Sequence, residues 1–339
     1  MPATSPKPPP FDPELTPFFA AVPPADIPPE AIPELRRIQN EAATLQLALK
    51  DQPFHHHERH VDGPHGSVPV SIFVPKSAPS GSTRRPAIFF IHSGGMICGN
   101  RFTFVQDSLR WAAVTNALLI TVEYRQSPEH PFPVPHDDCW AALKWVSQNA
   151  SSLGFDPARL LVAGQSAGGN LAATMALRAR DEQESAVQLA GLLIDAGMLD
   201  DRMTTSSMAE AEMKGTWTRG SNITAWNAYL DGSSTTPSRR GTKNVSQYAA
   251  PARATDLSKL PPTFVGVGSA EAFRDENVEF ASRMYAAGGV VELHVWPGGY
   301  HCFDQLLPNA EVSKRSLAAK TAWVEKLFAQ EAAAVQAKL

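Results

Sequence analysis

Cysteine is scarce in this chain. Cys98, Cys139 and Cys302 are the only three in 339 residues, too few and of the wrong parity for a disulfide framework, which points to a reducing, cytoplasmic setting. Long apolar runs are missing too: none approaches the roughly 20 residues that span a bilayer, so no membrane contact is expected. The first ten residues have neither the basic start nor the apolar stretch of a secretion signal. Nor does one sign of charge dominate. Thirty Lys and Arg against 34 Asp and Glu leave a net charge of -4, with no electrostatic reason to expect nucleic acid or an anionic membrane as a partner; small neutral molecules fit better. Apolar residues, in contrast, make up 43%, enough to bury the core of one large α/β domain with an accessory element.

Twelve of the 29 prolines fall in residues 1–33, where they block ladders and continuous helices and predict an irregular arm. Phe11, Phe18, Phe19, Val22 and Ile27 among them are too apolar for a solvated linker, so the arm is expected to dock. Residues 34–50 read as one helix, and 55–61 with 68–74 as a strand pair. Short β-rich runs then alternate with helical patterns: strands at 87–91, 117–122, 160–162, 189–194, 263–267 and 291–295, helices at 137–150, 168–181, 275–287 and 311–330. Near-continuous apolar strands separated by helices predict a mostly parallel sheet covered on both faces, with functional groups at the carboxyl ends of its strands. Residues 200–250 break this rhythm and read as an insertion above those strand ends. The expected organisation is an arm and cap helix over 1–50, core over 51–199, a cap insertion over 200–250 and core again over 251–339.

Gly164-Gln-Ser-Ala-Gly-Gly169 lies between the apolar run 159–163 and the helical stretch 170–180. A G-x-S-x-G at a strand-to-helix turn forces its serine into a strained conformation and lifts the hydroxyl clear of the sheet, since a Cβ at either flank would clash. Ser166 is therefore the candidate nucleophile. His92-Ser-Gly-Gly-Met96 after the strand ending at Ile91 is the candidate oxyanion loop, with the N–H groups of Gly94, Gly95 and Ala167 as donors. A base belongs in a loop after the last strand, where His301 stands in Pro297-Gly-Gly-Tyr-His-Cys-Phe303. Three carboxylates follow the strand 263–267: Glu271, in the turn, is the expected acid, with Asp275 as runner-up, and Asp275 and Glu276 open the next helix.

These blocks, with Tyr124-Arg-Gln-Ser-Pro-Glu-His-Pro-Phe-Pro133 between them, resemble in order the H-G-G-G, Y-R-x-x-P-E, G-D-S-A-G-G and histidine-loop motifs of the hormone-sensitive-lipase-like carboxylesterases of the α/β-hydrolase fold, over roughly residues 54–330. The resemblance implies a Ser166–Glu271–His301 triad and a cap built jointly from residues 1–50 and the 200–250 insertion. Three departures stand out: Ser93 for the first glycine of H-G-G-G, Gln165 for Asp before the nucleophile, and Glu271 where Asp is more usual. The expected activity is serine carboxylesterase hydrolysis of small to medium acyl esters through an acyl-enzyme, with no cofactor or metal. An amidase, formamidase or lactonase acting on a specialised metabolite, or a non-catalytic ligand receptor of the same fold, is the alternative. Met96, Phe18, Phe19, Trp217, Trp226 and Tyr300 are candidate substrate-pocket residues, and the His55–His60 run reads as a solvated strand face. A sheet edge near 291–295 would permit a homodimer.

Overall fold

The computed structural model describes residues 8–77, 84–182, 187–212, 214–232 and 238–336, with side chains to 329. Eight strands form one sheet: β1 Phe54–Gly63, β2 Gly66–Pro75, β3 Arg85–Ile91, β4 Leu118–Val122, β5 Phe155–Gln165, β6 Gly191–Asp195, β7 Thr263–Gly268 and β8 Val291–Trp296. Their order is β1-β2-β4-β3-β5-β6-β7-β8. The first two pairings are antiparallel and the rest parallel. Apolar runs become central strands because helices cover both faces. Phe89, Ile91, Ile120, Val162, Leu192 and Ile194 enter one core, and Ile88, Phe90, Leu119, Leu161, Ala163 and Leu193 the other, the period-two alternation of a strand buried on both sides.

One expectation changes in detail. The helix read over 34–50 is two pieces, Ile32–Ala42 and Leu45–Leu49, because Thr44 leaves helical geometry and its hydroxyl caps the second piece by accepting from the Leu47 N–H. The stretch from 200 to 250 holds the helices Ser206–Glu210 and Arg219–Asp231 between β6 and β7. The arm packs against both this stretch and the loop after β8. Asp12 N–H donates to the Gly298 carbonyl at 3.0 Å and Ile27 N–H to the Ser221 hydroxyl at 3.0 Å. Leu15, fully buried, joins Trp296, Tyr300 and Phe303 in a third core cluster. Among the described residues no helix is long and apolar enough to cross a membrane.

Candidate active site

The turn from β5 into the helix Ala167–Asp181 places Ser166 at φ 57°, ψ -119°, a strained conformation for a residue with a Cβ. Its flanking glycines are required by space alone. A Cβ on Gly164 would stand 2.0 Å from the Gly168 carbonyl oxygen, and one on Gly168 2.0 Å from that of Ile91. The turn is pinned from the neighbouring strand: Ser166 N–H donates to the Asp195 carbonyl at 2.8 Å, and the Ser166 carbonyl accepts from Met198 N–H at 3.0 Å.

His301 Nε2 lies 2.9 Å from Ser166 Oγ, and its Nδ1 lies 3.3 Å from Glu271 Oε2. All three residues are buried. Thr216 holds the histidine loop by donating its hydroxyl to the His301 carbonyl at 2.5 Å, and Phe273 meets the imidazole edge-on at 5.0 Å. Burial opposes the imidazolium, but the Cys302 sulfur and the Glu271 carboxylate outweigh it and hold His301 well above its usual range. Burial also raises the Cys302 thiol, against the pull of His301. Glu271 itself is pushed up by burial and drawn down by His301. Of the other two carboxylates, Asp275 accepts from the Ser207 N–H at 2.8 Å and pairs with Arg274 at 2.7 Å. Glu276 is buried and accepts from the Leu199 N–H at 2.6 Å. Both brace the chain after β6 and the start of the 200–250 stretch; Glu271 faces the histidine.

Gly94 and Gly95 take φ 120° and 61°. A Cβ on Gly94 would stand 2.0 Å from the Cys98 carbonyl oxygen, because the loop folds back on itself there, and one on Gly95 would meet the Trp217 indole at 2.5 Å. Burial pulls the pKa of His92 down to about 4, so the neutral ring donates from Nδ1 to the Ser93 carbonyl at 2.7 Å. Ser93 is not at positive φ, so its Cβ adds no backbone strain there. The segment 124–133 acts as a brace. Tyr124 stacks on His92 at 4.2 Å and donates to its carbonyl at 3.2 Å; Gln126 Nε2 donates to the Gly99 carbonyl and Ser127 N–H to that of Met96. From the N-terminal helix Arg36 reaches Ile97 O at 2.7 Å, Ser127 O at 2.6 Å and the Glu129 carboxylate.

A cavity of about 170 Å³ opens on Ser166 and His301, lined also by Gly94, Phe104, Trp217 and Leu306. Trp217 is the one pocket candidate from the sequence that lines it. Phe18 and Phe19 cluster with Phe11 around Tyr300, Trp226 is fully buried beside Tyr229, and Met96 is a buried core residue. Cys302, beside His301 in the histidine loop, lines the cavity too, as do Gln39, Phe104, Thr216 and Leu306, which carry no periodicity or motif that would have marked them. A second cavity, about 240 Å³, lies between Pro8–Phe11 of the arm, Ser207, Glu210 and Ala211, and the Glu271 turn.

Known proteins share this fold. The sequence pattern of the α/β-hydrolase fold family matches residues 88–305. The chain is 30% identical over 302 residues to the esterase LipI of Mycobacterium tuberculosis, covering 86% of this chain and 91% of LipI. It is 33% identical over 297 residues to the carboxylesterase NlhH of the same organism, covering 86% and 84%. Among solved structures a bacterial heroin esterase superposes with a TM-score of 0.85 at 34% identity, covering 94% of this chain and 98% of that one. The chain belongs to the hormone-sensitive-lipase-like family of the α/β-hydrolase fold and is a carboxylic ester hydrolase.

Proposed function

We propose that the protein is a serine carboxylesterase in which Ser166, His301 and Glu271 form the triad and the N–H groups of Gly94, Gly95 and Ala167 form the oxyanion hole. The observation that carries this is the unbroken chain from Glu271 Oε2 through both imidazole nitrogens to Ser166 Oγ, with links of 3.3 and 2.9 Å, opening on a cavity that Gly94 also lines. Ser166 Oγ attacks the ester carbonyl while His301 Nε2 takes its proton. The tetrahedral oxyanion sits on the loop and helix N–H groups. His301 returns the proton to the leaving alkoxide, and water then hydrolyses the acyl-enzyme by the same path. Glu271 fixes the tautomer and stabilises the imidazolium.

The compact cavity, walled by Phe104, Trp217 and Leu306, supports small to medium soluble acyl esters as substrates. A cap drawn from residues 1–50 and 200–250 is supported by the tie between the two segments, where Asp26 accepts from the Thr218 hydroxyl at 2.5 Å, and by Trp217 of the second segment, which lines the cavity. β8, at the sheet edge, offers a pairing surface for a homodimer, and three free thiols fit a reducing, cytoplasmic setting. A fluorophosphonate probe followed by peptide mass mapping tests the nucleophile. The adduct is expected on Ser166, and a fully active enzyme that stays unlabelled there would refute the assignment. Rates on matched ester, amide and lactone substrates are expected to rank the ester first.

A further inference from the structure

Lys320 lies on the helix Glu311–Gln336 at the spacing of Leu317, Val324 and Leu327, which are buried. Its own side chain is completely buried, and its ammonium meets Asp107 Oδ2 at 3.0 Å, Asp195 Oδ2 at 2.9 Å and Asp304 Oδ2 at 2.8 Å. Isolated buried charges are unstable, so a cation in this position needs partners on every side. These partners come from three separate segments of the site. Asp195 ends β6, pairs in register with Gln165 and accepts from its Nε2 at 3.1 Å, while its carbonyl holds the Ser166 N–H. Asp304 lies three residues after His301 in the one-turn helix Phe303–Leu306 and also accepts from the Ser316 hydroxyl at 2.7 Å. Asp107 is in the first turn of the helix Gln106–Thr115, shortly after Phe104 of the cavity wall, and accepts from Gln305 Nε2 at 2.6 Å.

We propose that Lys320 and its three aspartates are positioning residues that hold the nucleophile turn, the histidine loop and the cavity wall in one register. The proposal rests on Ser166 and His301 being the reacting pair. The arrangement also gives Gln165 a role: it donates to Asp195 and links the residue before the nucleophile to the cluster, where the family's usual aspartate would place a fourth carboxylate beside Asp195. Burial pushes the Asp107 and Asp195 carboxyls up, Asp195 to about 7, against the pull of Lys320. The three carboxylates hold Lys320 charged, well above its usual value despite burial.

The cluster is tested by cutting the tie to the histidine loop. Asp304→Ala leaves Lys320 two carboxylates, and is expected to lower kcat on a short aryl ester about ten- to a hundredfold with KM changed by less than about twofold. Asp304→Asn, whose amide oxygen still accepts from Lys320 and Ser316, is expected to regain kcat to within about threefold of the parent. A folded Asp304→Ala enzyme with unchanged kcat, or with its loss entirely in KM, overturns the proposal. Should that variant not fold, Gln165→Met carries the test from the other end, because it breaks only the bond to Asp195. A kcat fall with constant KM supports the positioning role, and unchanged kcat overturns it. Ser166→Ala run alongside separates the two readings. If it keeps turnover, the triad falls and this proposal with it; if it is inactive while the cluster variants keep full kcat, only this proposal falls.

Discussion

Two buried acidic sites flank the Ser166 turn, and they are satisfied to different degrees. Glu271 has His301 at 3.3 Å, and its Oε1 has no hydrogen-bond partner among the described residues. Asp107, Asp195 and Asp304 share Lys320 and receive further hydrogen bonds from Gln305, Gln165 and Ser316. A buried carboxylate with one partner keeps a strong field directed at that partner, whereas a carboxylate among several donors has its field largely cancelled and serves to hold backbone in place. The contrast separates an acid suited to tuning a base from acids suited to fixing a frame.

The most severe way to break this comparison is to remove the hydroxyl on which the Glu271–His301 chain ends. Ser166→Ala is expected to lower kcat on a short aryl ester by at least about ten-thousandfold while circular dichroism stays native. Glu271→Gln keeps the shape but not the charge, and is expected to cost about a hundred- to ten-thousandfold in kcat. Asp275→Asn is expected to change kcat by less than about threefold, since Asp275 faces Ser207 and Arg274; the reverse ranking would exchange the two acids' roles.

A pH profile sharpens the same point. The proposed base, His301, would work as neutral imidazole, and its ring is held above its ordinary range. The acidic limb of kcat/KM is therefore expected above the usual histidine value of about 6.5, and Glu271→Gln should move it to lower pH. A limb that stays put in that variant would mean that Glu271 does not act on the ring. A smaller effect than that of Glu271→Gln is expected from Trp217→Ala, which enlarges the cavity beside His301 and should raise kcat/KM for longer acyl chains relative to acetyl by about two- to tenfold, measured across an acyl series.

Much of the fold was legible because its signals are local. The apolar strands 87–91, 117–122 and 263–267 announce a covered sheet by their continuity, and the Gly164–Gly168 turn by a spacing that leaves no room for a Cβ. Thr44, which divides the helix expected over 34–50, was a readable capping residue overridden by the periodicity around it. The candidate pocket was less legible. Trp217, Trp226, Phe18 and Tyr300 are all large and apolar, and nothing in their composition separates Trp217, which lines the cavity, from Phe18, packed on Tyr300, or Trp226, packed on Tyr229. Lys320 left a trace, a charge on the apolar face of its helix, but its partners lie 16, 125 and 213 residues away in sequence.

The sequence by itself determined the class of sheet, the order of the motifs and the backbone strain at Ser166, because each depends on neighbours within a few residues. Only the tertiary structure decided which of three carboxylates faces His301, which aromatics wall the cavity and which aspartates share Lys320. Those depend on contacts between segments distant in sequence, and a buried charge takes its meaning from the partners that the fold brings to it.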